Sequence, residues 1–475
     1  MADITVPRKE FRYAQLADTI EGLIRQGVWQ PGEKVPSVRQ LRALHGVSLS
    51  TAFQAYYQLE NKGLLEARPK SGYFVRRLSR PAPPPQSTPV LQATEVRISA
   101  LLTTVLAARR GHHVPLAMAV PNLALLPVAR LNKAVGTVLR RAPQRNLGYE
   151  LTAGNEELRR LIAQQAPRWG GRLAPDEVVV TSGCLEALNL CLRAVTRPGD
   201  TVAIESPTYY GILQAIENLG LRALEIPTHP DHGISLAHLE AALQRQPVAA
   251  CLLVPNFNNP LGSCMPDAHK QQLVALLKHW AIPLIEDDIY GELYFGPTRP
   301  KTCQAFDTEG LVLLCSSFSK HLAPGYRVGW VAPGRYRRQV EQLKFMHNLA
   351  TATLPQLAVA EFLSHGRYEH HLRGLRGALA GQVRQVTAAV EQFFPAGTRV
   401  THPAGGFSLW VELPGNADAW ALHQRAQAAG IGFVPGALFS AQPKYGNYLR
   451  LTCGHPWTPD LEQALATLGQ LARTA

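Results

Sequence analysis

Five short apolar runs constrain this chain more than any other feature: EVVV at 177–180, TVAI at 201–204, ACLLV at 250–254, PLIE at 283–286 and LVLL at 311–314. Amphipathic stretches such as 269–279 lie between several of them. A strand that is apolar on both faces must be covered on both faces, and parallel strands need a long crossover, usually a helix. The pattern predicts an α/β layer architecture with a largely parallel sheet, filling the chain from about residue 96 onward. Ligands of such sheets sit just beyond the carboxyl ends of the strands. The chemically notable residues of this chain cluster there.

TSGCLEAL at 181–188 follows the first run. Gly183 lets the backbone approach closely, and the next N–H groups can hold an anion at a helix N-terminus; a plain helix start is the alternative. SPTYY at 206–210 offers an aromatic face, or simply a core tyrosine. PNFNNPLG at 255–262 sets amides beside Pro260, or is an Asx-rich turn. EDDIY at 286–290 puts three acids at a strand end, or is a solvated loop. The fifth run leads into CSSFSKHLAPGYRVGW at 315–330, where Lys320 stands among serines and Arg327 follows seven positions on. Jointly and in this order, these are the parts that pyridoxal 5′-phosphate (PLP) requires. A phosphate needs N–H and hydroxyl donors plus an arginine. A pyridinium nitrogen needs a carboxylate, and an aldehyde needs a lysine. On this reading the serines and Arg327 hold a phosphate while Lys320 holds the aldehyde carbon.

The first eighty residues differ in character. They hold 13 Lys+Arg against 7 Asp+Glu, +6 of a total formal charge of +13. Clustered cations suit phosphate neutralisation, although a solvated surface has the same composition. Residues 11–26 carry Leu16, Ile20, Leu23 and Ile24 at helical spacing, ended by Gly27. Ser37 suits the N-cap of a helix over 38–44 with Gly46 as its stop, and Ser48 begins a third helix running to Gly63. Two short helices across a tight turn have helix-turn-helix spacing, and LLEARPKSGYFVRR predicts two strands around a Pro-Lys-Ser-Gly tip. Five prolines in residues 79–89 predict a semi-extended, solvated linker.

From PGEKVPSVRQ through KSGYFV, the N-terminal region resembles the winged-helix DNA-binding domain of the GntR regulators. The resemblance implies that Arg39, Ser48, Ser50, Thr51, Lys70 and Ser71 approach DNA; Leu49 stands where many members carry a basic residue. Residues from about 115 to 475 resemble the fold-type I aminotransferases, and the whole chain resembles the MocR subfamily. This implies a multi-domain protein: a winged helix-turn-helix at 10–78, a linker at 79–95, and a body at 96–475 with a large, mostly parallel part and a smaller α+β part. By the same resemblance Lys320 is the Schiff-base lysine and Asp287 the partner of the pyridine nitrogen. Asn259 and Tyr290 contact the ring hydroxyl, Tyr209 stacks on the ring, and Gly183, Cys184, Ser317, Ser319 and Arg327 surround the phosphate. Tyr149 reaches the phosphate of a second subunit, which implies a homodimer, and Arg450 grips a substrate or effector carboxylate.

Other classes are disfavoured. No charge-free apolar 20-mer occurs, and the N-terminus lacks an apolar signal core, so no membrane span or secretion is expected. Seven cysteines without a CxxC pair predict free thiols in a reducing cytoplasm, and sixteen histidines without HExxH predict no metal site. Three functional readings remain. The first is a PLP-dependent regulator that binds operator DNA, with an amino acid or amine as a further candidate effector. The second is an active aminotransferase with an accessory DNA-binding module, and the third is a regulator whose body only dimerises. The phosphate clamp disfavours the last.

Overall fold

Leu16 and Ala17 lie four and three residues before Ile20, on one helical face, and the helix Arg12–Arg25 buries them. The computed structural model describes residues 12–61, 64–68, 71–76, 81–107, 114–141, 144 and 147–474. They fall into two units, Met1–Arg80 and Pro81–Ala475. In the first unit, Ser37 caps the helix Val38–His45 through a reciprocal pair with Gln40, and Gly46 closes it at a φ of 60°. The third helix, Leu49–Asn61, turns Ala52, Ala55, Tyr56 and Leu59 inward against Leu16, Ile20 and Leu41. Fully burying the leucine and isoleucine side chains contributes roughly 1.5–3 kcal/mol each. Strands Leu65–Arg68 and Gly72–Val75 pair antiparallel, Leu65 opposite Val75 and Arg68 opposite Gly72. This is a winged helix-turn-helix. Of the expected wing tip, Lys70 lies outside the described residues; Ser71 donates its N–H to Arg68 O at 2.9 Å.

The second unit is built on a nine-stranded sheet. Across it run Thr94–Glu95, Arg222–His229, Thr201–Ser206, Ala250–Leu253, Leu284–Asp287, Val312–Ser317, Gly329–Ala332 and Val179–Thr181, with Gly233–Ile234 paired onto Arg222–His229. The five strands from Arg222–His229 to Val312–Ser317 are mutually parallel. All residues of Thr201–Ser206, Ala250–Leu253, Leu284–Asp287 and Val312–Ser317 are buried, as runs apolar on both faces require.

Besides the two-residue strands Thr94–Glu95 and Gly233–Ile234, two longer strands escape the sequence pattern. Arg222–His229 carries Glu225 and Pro227 within RALEIPTH; Glu225 is buried because Ser440 Oγ (2.7 Å) and Ala441 N–H (2.6 Å) donate to it. Gly329–Ala332 runs antiparallel between Val312–Ser317 and Val179–Thr181, which returns Arg327 to the edge where the parallel strands end. The smaller part is a four-stranded antiparallel sheet in the order Arg399–Val400, Ser408–Glu412, Tyr448–Thr452 and Val434–Pro435. Its core residues pack with those of the helices Tyr368–Phe393, Ala419–Ala428 and Pro459–Ala472.

The expectation of a solvated linker over 79–95 needs correction. Ser79 and Arg80 lie outside the described residues, but from Pro81 the chain is laid on the body. Pro81 O accepts from His402 Nε2 (2.8 Å), Ala82 O from Val400 N (3.1 Å), and Ser87 Oγ from Thr228 N (2.8 Å). Val90 exchanges two hydrogen bonds with the Gln442 side chain (3.0 and 2.9 Å), and Thr94–Glu95 extends the large sheet. The prolines do make the segment extended. Its partners lie more than a hundred residues away, so composition could not reveal them.

Candidate functional site

The sheet edge gathers an anion-binding end and a ring-binding end. At the first, helix Cys184–Val195 starts at Gly183, whose φ of 88° suits glycine, and no side chain caps it. Its first N–H groups are therefore free for an anion. Arg327 adopts the left-handed region at φ 53°, a conformation that costs about 1–2 kcal/mol in a residue with a side chain. Its Nη2 donates to Ser182 O (3.1 Å) and its Nη1 to Ser319 Oγ (3.3 Å). A Cβ on Gly183 would collide with the Arg327 guanidinium, so the two approach only because the position is bare. Ser317 Oγ accepts from Ser319 N (3.0 Å) and lies 2.7 Å from Ser319 Oγ, which ties both hydroxyls into the turn before Lys320.

At the ring end, Asp287 closes strand Leu284–Asp287 and is 5% exposed. Cys184 Sγ (3.2 Å) and Ile289 N (3.1 Å) both donate to its Oδ1. Oδ2 takes no donor from the described residues. With no cation bonded to it, burial pushes the carboxyl up to about 6. Asn259 Nδ2 donates to Tyr290 Oη (3.4 Å), and Arg450 Nη1 donates to Asn259 Oδ1 (3.2 Å). Arg450 is fully buried on strand Tyr448–Thr452; its Nη2 donates to Ala117 O, its Nε has no partner among the described residues, and its guanidinium lies 5.6 Å from the Phe439 ring centre. Burial raises the hydroxyls of Tyr209 and Tyr290 above the ordinary tyrosine range. A Cβ on Gly211 would collide with the Tyr209 ring.

Lys320 Nζ donates to Ala119 O (2.7 Å) and lies 5.9 Å from the Tyr290 ring centre. Burial, and then the charge of Arg450, lower its ammonium to about 8, against the opposing pull of Asp287. At pH 7 about a tenth of such a lysine is the free, nucleophilic amine. Lys320, Asp287, Asn259, Tyr290, Tyr209, Arg450, Gly183, Cys184, Ser317, Ser319 and Arg327 thus come to one edge of the sheet. The Cys184 thiol turns to Asp287, while its backbone stays at the helix N-terminus. Tyr149 stands apart, 88% exposed beside Leu147 at 91% and Leu151 at 65%.

Sequence reasoning missed two participants, Ala119 and Glu205. Ala119 offers Lys320 a backbone carbonyl, which no side-chain pattern signals. Glu205, buried and raised to about 8, accepts from Val254 N (2.8 Å). Asp288 faces away from Asp287: Asn256 Nδ2 donates to it (2.8 Å), and Arg299 pairs with it and with Glu292 (2.9 Å).

On the winged helix, Ser48 Oγ accepts from Thr51 N (3.1 Å) at the start of the third helix and lies 2.8 Å from both Ser50 Oγ and Thr51 Oγ1. Arg39 and Arg42 are exposed on the helix before it.

Residues 12–75 match the bacterial regulatory proteins of the gntR family, and residues 118–468 match aminotransferase class I and II. The chain belongs to the class I and II aminotransferase family, in its MocR-type fusion to a GntR module. Like this MocR-type chain in both parts is the uncharacterized HTH-type transcriptional regulator YdcR of Escherichia coli, 42% identical over 97% of this chain and 98% of that protein. Aromatic-amino-acid aminotransferase 1 of Thermococcus litoralis is 30% identical over 71% of this chain and 82% of its own length. The crystal structure of LysN, an α-aminoadipate aminotransferase from Thermus thermophilus complexed with N-(5′-phosphopyridoxyl)-L-leucine, superposes at a TM-score of 0.73. It is 30% identical to this chain, covering 80% of it and 96% of LysN. No helix among the described residues is long and apolar enough to cross a membrane, and no group of three metal-ligating side chains occurs among them.

Proposed function

We propose that this chain is a cytoplasmic, DNA-binding transcriptional regulator whose aminotransferase-like body binds PLP and senses an amino acid or amine. One observation carries the reading. A winged helix shares a chain with a sheet edge bearing a lysine of lowered pKa and, among the described residues, a carboxylate oxygen without a donor and a guanidinium nitrogen without an acceptor. The residues fit PLP chemically. Asp287 Oδ2 is open to a protonated ring nitrogen, and the uncapped helix start with Arg327 suits a phosphate dianion.

In that fit Lys320 takes the aldehyde and Asp287 the pyridine nitrogen. Asn259 and Tyr290 take the ring oxygen and Tyr209 one ring face, while Gly183, Cys184, Ser317, Ser319 and Arg327 serve the phosphate. Bound PLP supplies an electron sink for chemistry at an amine-bearing carbon. Arg450, with its free Nε, suits the carboxylate of an amino-acid effector. The exposed apolar run at Leu147, Tyr149 and Leu151 fits coverage by a second copy, so that the working unit is a homodimer.

The regulator reading is favoured over that of a working aminotransferase because a relative that covers 97% of this chain is named an HTH-type transcriptional regulator, whereas the aminotransferase of Thermococcus litoralis covers 71% of it. The test pairs two assays on the PLP-loaded protein. Specific binding to duplex from beside its own gene is expected. Turnover of amino acid and keto acid is expected to fall far below the roughly 1–1000 per second of ordinary enzymes. Ordinary turnover with no DNA preference would reverse the assignment.

A further inference from the structure

The third helix of the winged module, LSTAFQAYYQLEN, contains neither lysine nor arginine. Besides the polar Ser50 and Gln54, its outward side chains are Leu49, Phe53 and Tyr57, spaced by four and 49%, 52% and 50% exposed. The opposite face is consumed by the core: Ala52, Ala55, Tyr56 and Leu59 are fully buried. The hydroxyls at its start are engaged with one another, Ser48 with Ser50 and Thr51. An apolar stripe left at the exposed start of a helix serves something other than folding.

The cations stand beside the stripe rather than in it. Arg39 and Arg42 are exposed on the preceding helix, and the Arg68 guanidinium lies over the Phe74 ring at 4.2 Å on the wing. The module therefore shows an apolar centre with basic flanks. That complements a duplex met in the major groove, where phosphates border a floor of base edges. On that floor guanine, cytosine and adenine present hydrogen-bonding groups and no methyl to a side chain. Thymine alone adds a methyl. Leucine and phenylalanine can neither donate nor accept, so against the other three bases they strip water from polar edges and return nothing.

We infer that Leu49 and Phe53 read thymine 5-methyl groups, so that the DNA half-site is specified by apolar contact at its centre while Arg39 and Arg42 hold the flanking phosphates. This rests on the DNA-binding reading above, and adds to it the chemistry of recognition. Exposed residues are the ones used, so substituting them leaves the module folded.

The test begins with the full-length, PLP-loaded protein selecting duplexes from a random library. In the enriched duplex each thymine is then replaced singly by uracil, which removes one methyl and nothing else. Affinity is expected to fall about fourfold per contacted methyl, at one or two positions per half-site. Leu49→Ala should erase the thymine preference at one of these positions and Phe53→Ala at the other, with unchanged circular dichroism. Failure to enrich any duplex would remove the DNA-binding reading, and this inference with it. Enrichment with equal binding to thymine and uracil everywhere leaves that reading standing and overturns this one. So would alanine variants that keep full thymine discrimination but lose self-association, which would make the stripe a protein interface.

Discussion

Asp287 and Asp288 are adjacent in sequence and opposite in surroundings, and replacing each by asparagine is expected to move stability in opposite directions. Asp287 is buried with only neutral donors, and its carboxyl titrates near 6 instead of the ordinary 3.8. Two pKa units correspond to roughly 3 kcal/mol of unfavourable ionisation in the folded protein. The folded state holds this proton more tightly than the unfolded chain. The penalty is thus absent below about pH 4, grows between pH 4 and 6, and is complete above that. An asparagine there keeps the Oδ1 that accepts both donors, so Asp287→Asn should stabilise the PLP-free protein by about 1–3 kcal/mol at pH 7 and by nothing near pH 4. It should also lose PLP, because the oxygen open to the ring nitrogen becomes an amide.

Asp288→Asn removes one anion from Arg299, which is 5% exposed in the side chain and keeps only Glu292 at 2.9 Å. Breaking a buried pair this way costs about 3–5 kcal/mol, and the remaining partner places the loss near the lower end. The assay is urea unfolding of the PLP-free variants at pH 4 and pH 7, with PLP retention measured on the same preparations by absorbance. Two destabilised variants, or a gain for Asp287→Asn that ignores pH, would refute the reasoning.

Further expectations concern the cofactor end and the partner surface. Lys320→Ala should abolish borohydride-fixable attachment of PLP, and attachment that survives it would displace the assignment of Lys320. In wild type the rate of covalent attachment should rise with pH through about 8, where the lysine loses its proton, and Arg450→Gln should move that midpoint upward because a neighbouring positive charge is gone. Gly183→Ala should weaken PLP binding by about tenfold or more, since its Cβ displaces Arg327 and its backbone at φ 88° is strained; equilibrium dialysis measures this. Tyr149→Ala should leave the circular dichroism unchanged, because the side chain is 88% exposed, yet lower PLP affinity and weaken the dimer in sedimentation.

Periodicity exposed what depends on neighbours along the chain. Five of the buried strands were legible because each is apolar on both faces, and the turn into the third helix was legible because Ser37, Gly46 and Ser48 each act on residues close by in the chain. Lys320 and Arg327 were legible because one turn holds both. Contacts set by register across the sheet were not. Asp287 stands opposite Cys315 on the next strand, while the thiol that addresses it comes from Cys184, more than a hundred residues earlier. The same holds for the proline-rich segment, whose composition tells that it is extended and nothing about His402, Thr228 or Gln442.

The site owes its polarity to this long-range register. Strand Leu284–Asp287 is buried along its length, so the carboxylates of Asp287 and Asp288 at its end cannot be left to water, and the chain resolves them differently. Asp288 is neutralised by Arg299, a side chain the protein supplies itself. Among the described residues Asp287 receives only neutral donors, both on one oxygen, which leaves a charge deficit that a cationic ring can fill. A carboxylate satisfied from within stabilises the fold, and on the proposed function one left short of a cation is what selects a ligand. The lowered ammonium of Lys320 follows from the same distribution of charge: Arg450 and burial outweigh Asp287, and the amine stays available near neutral pH. Adding a cation beside Asp287, for instance by Cys184→Lys, should therefore stabilise the PLP-free fold and exclude PLP together. If it raised stability while PLP still bound with full affinity, the unaddressed carboxylate would not be what selects the cofactor.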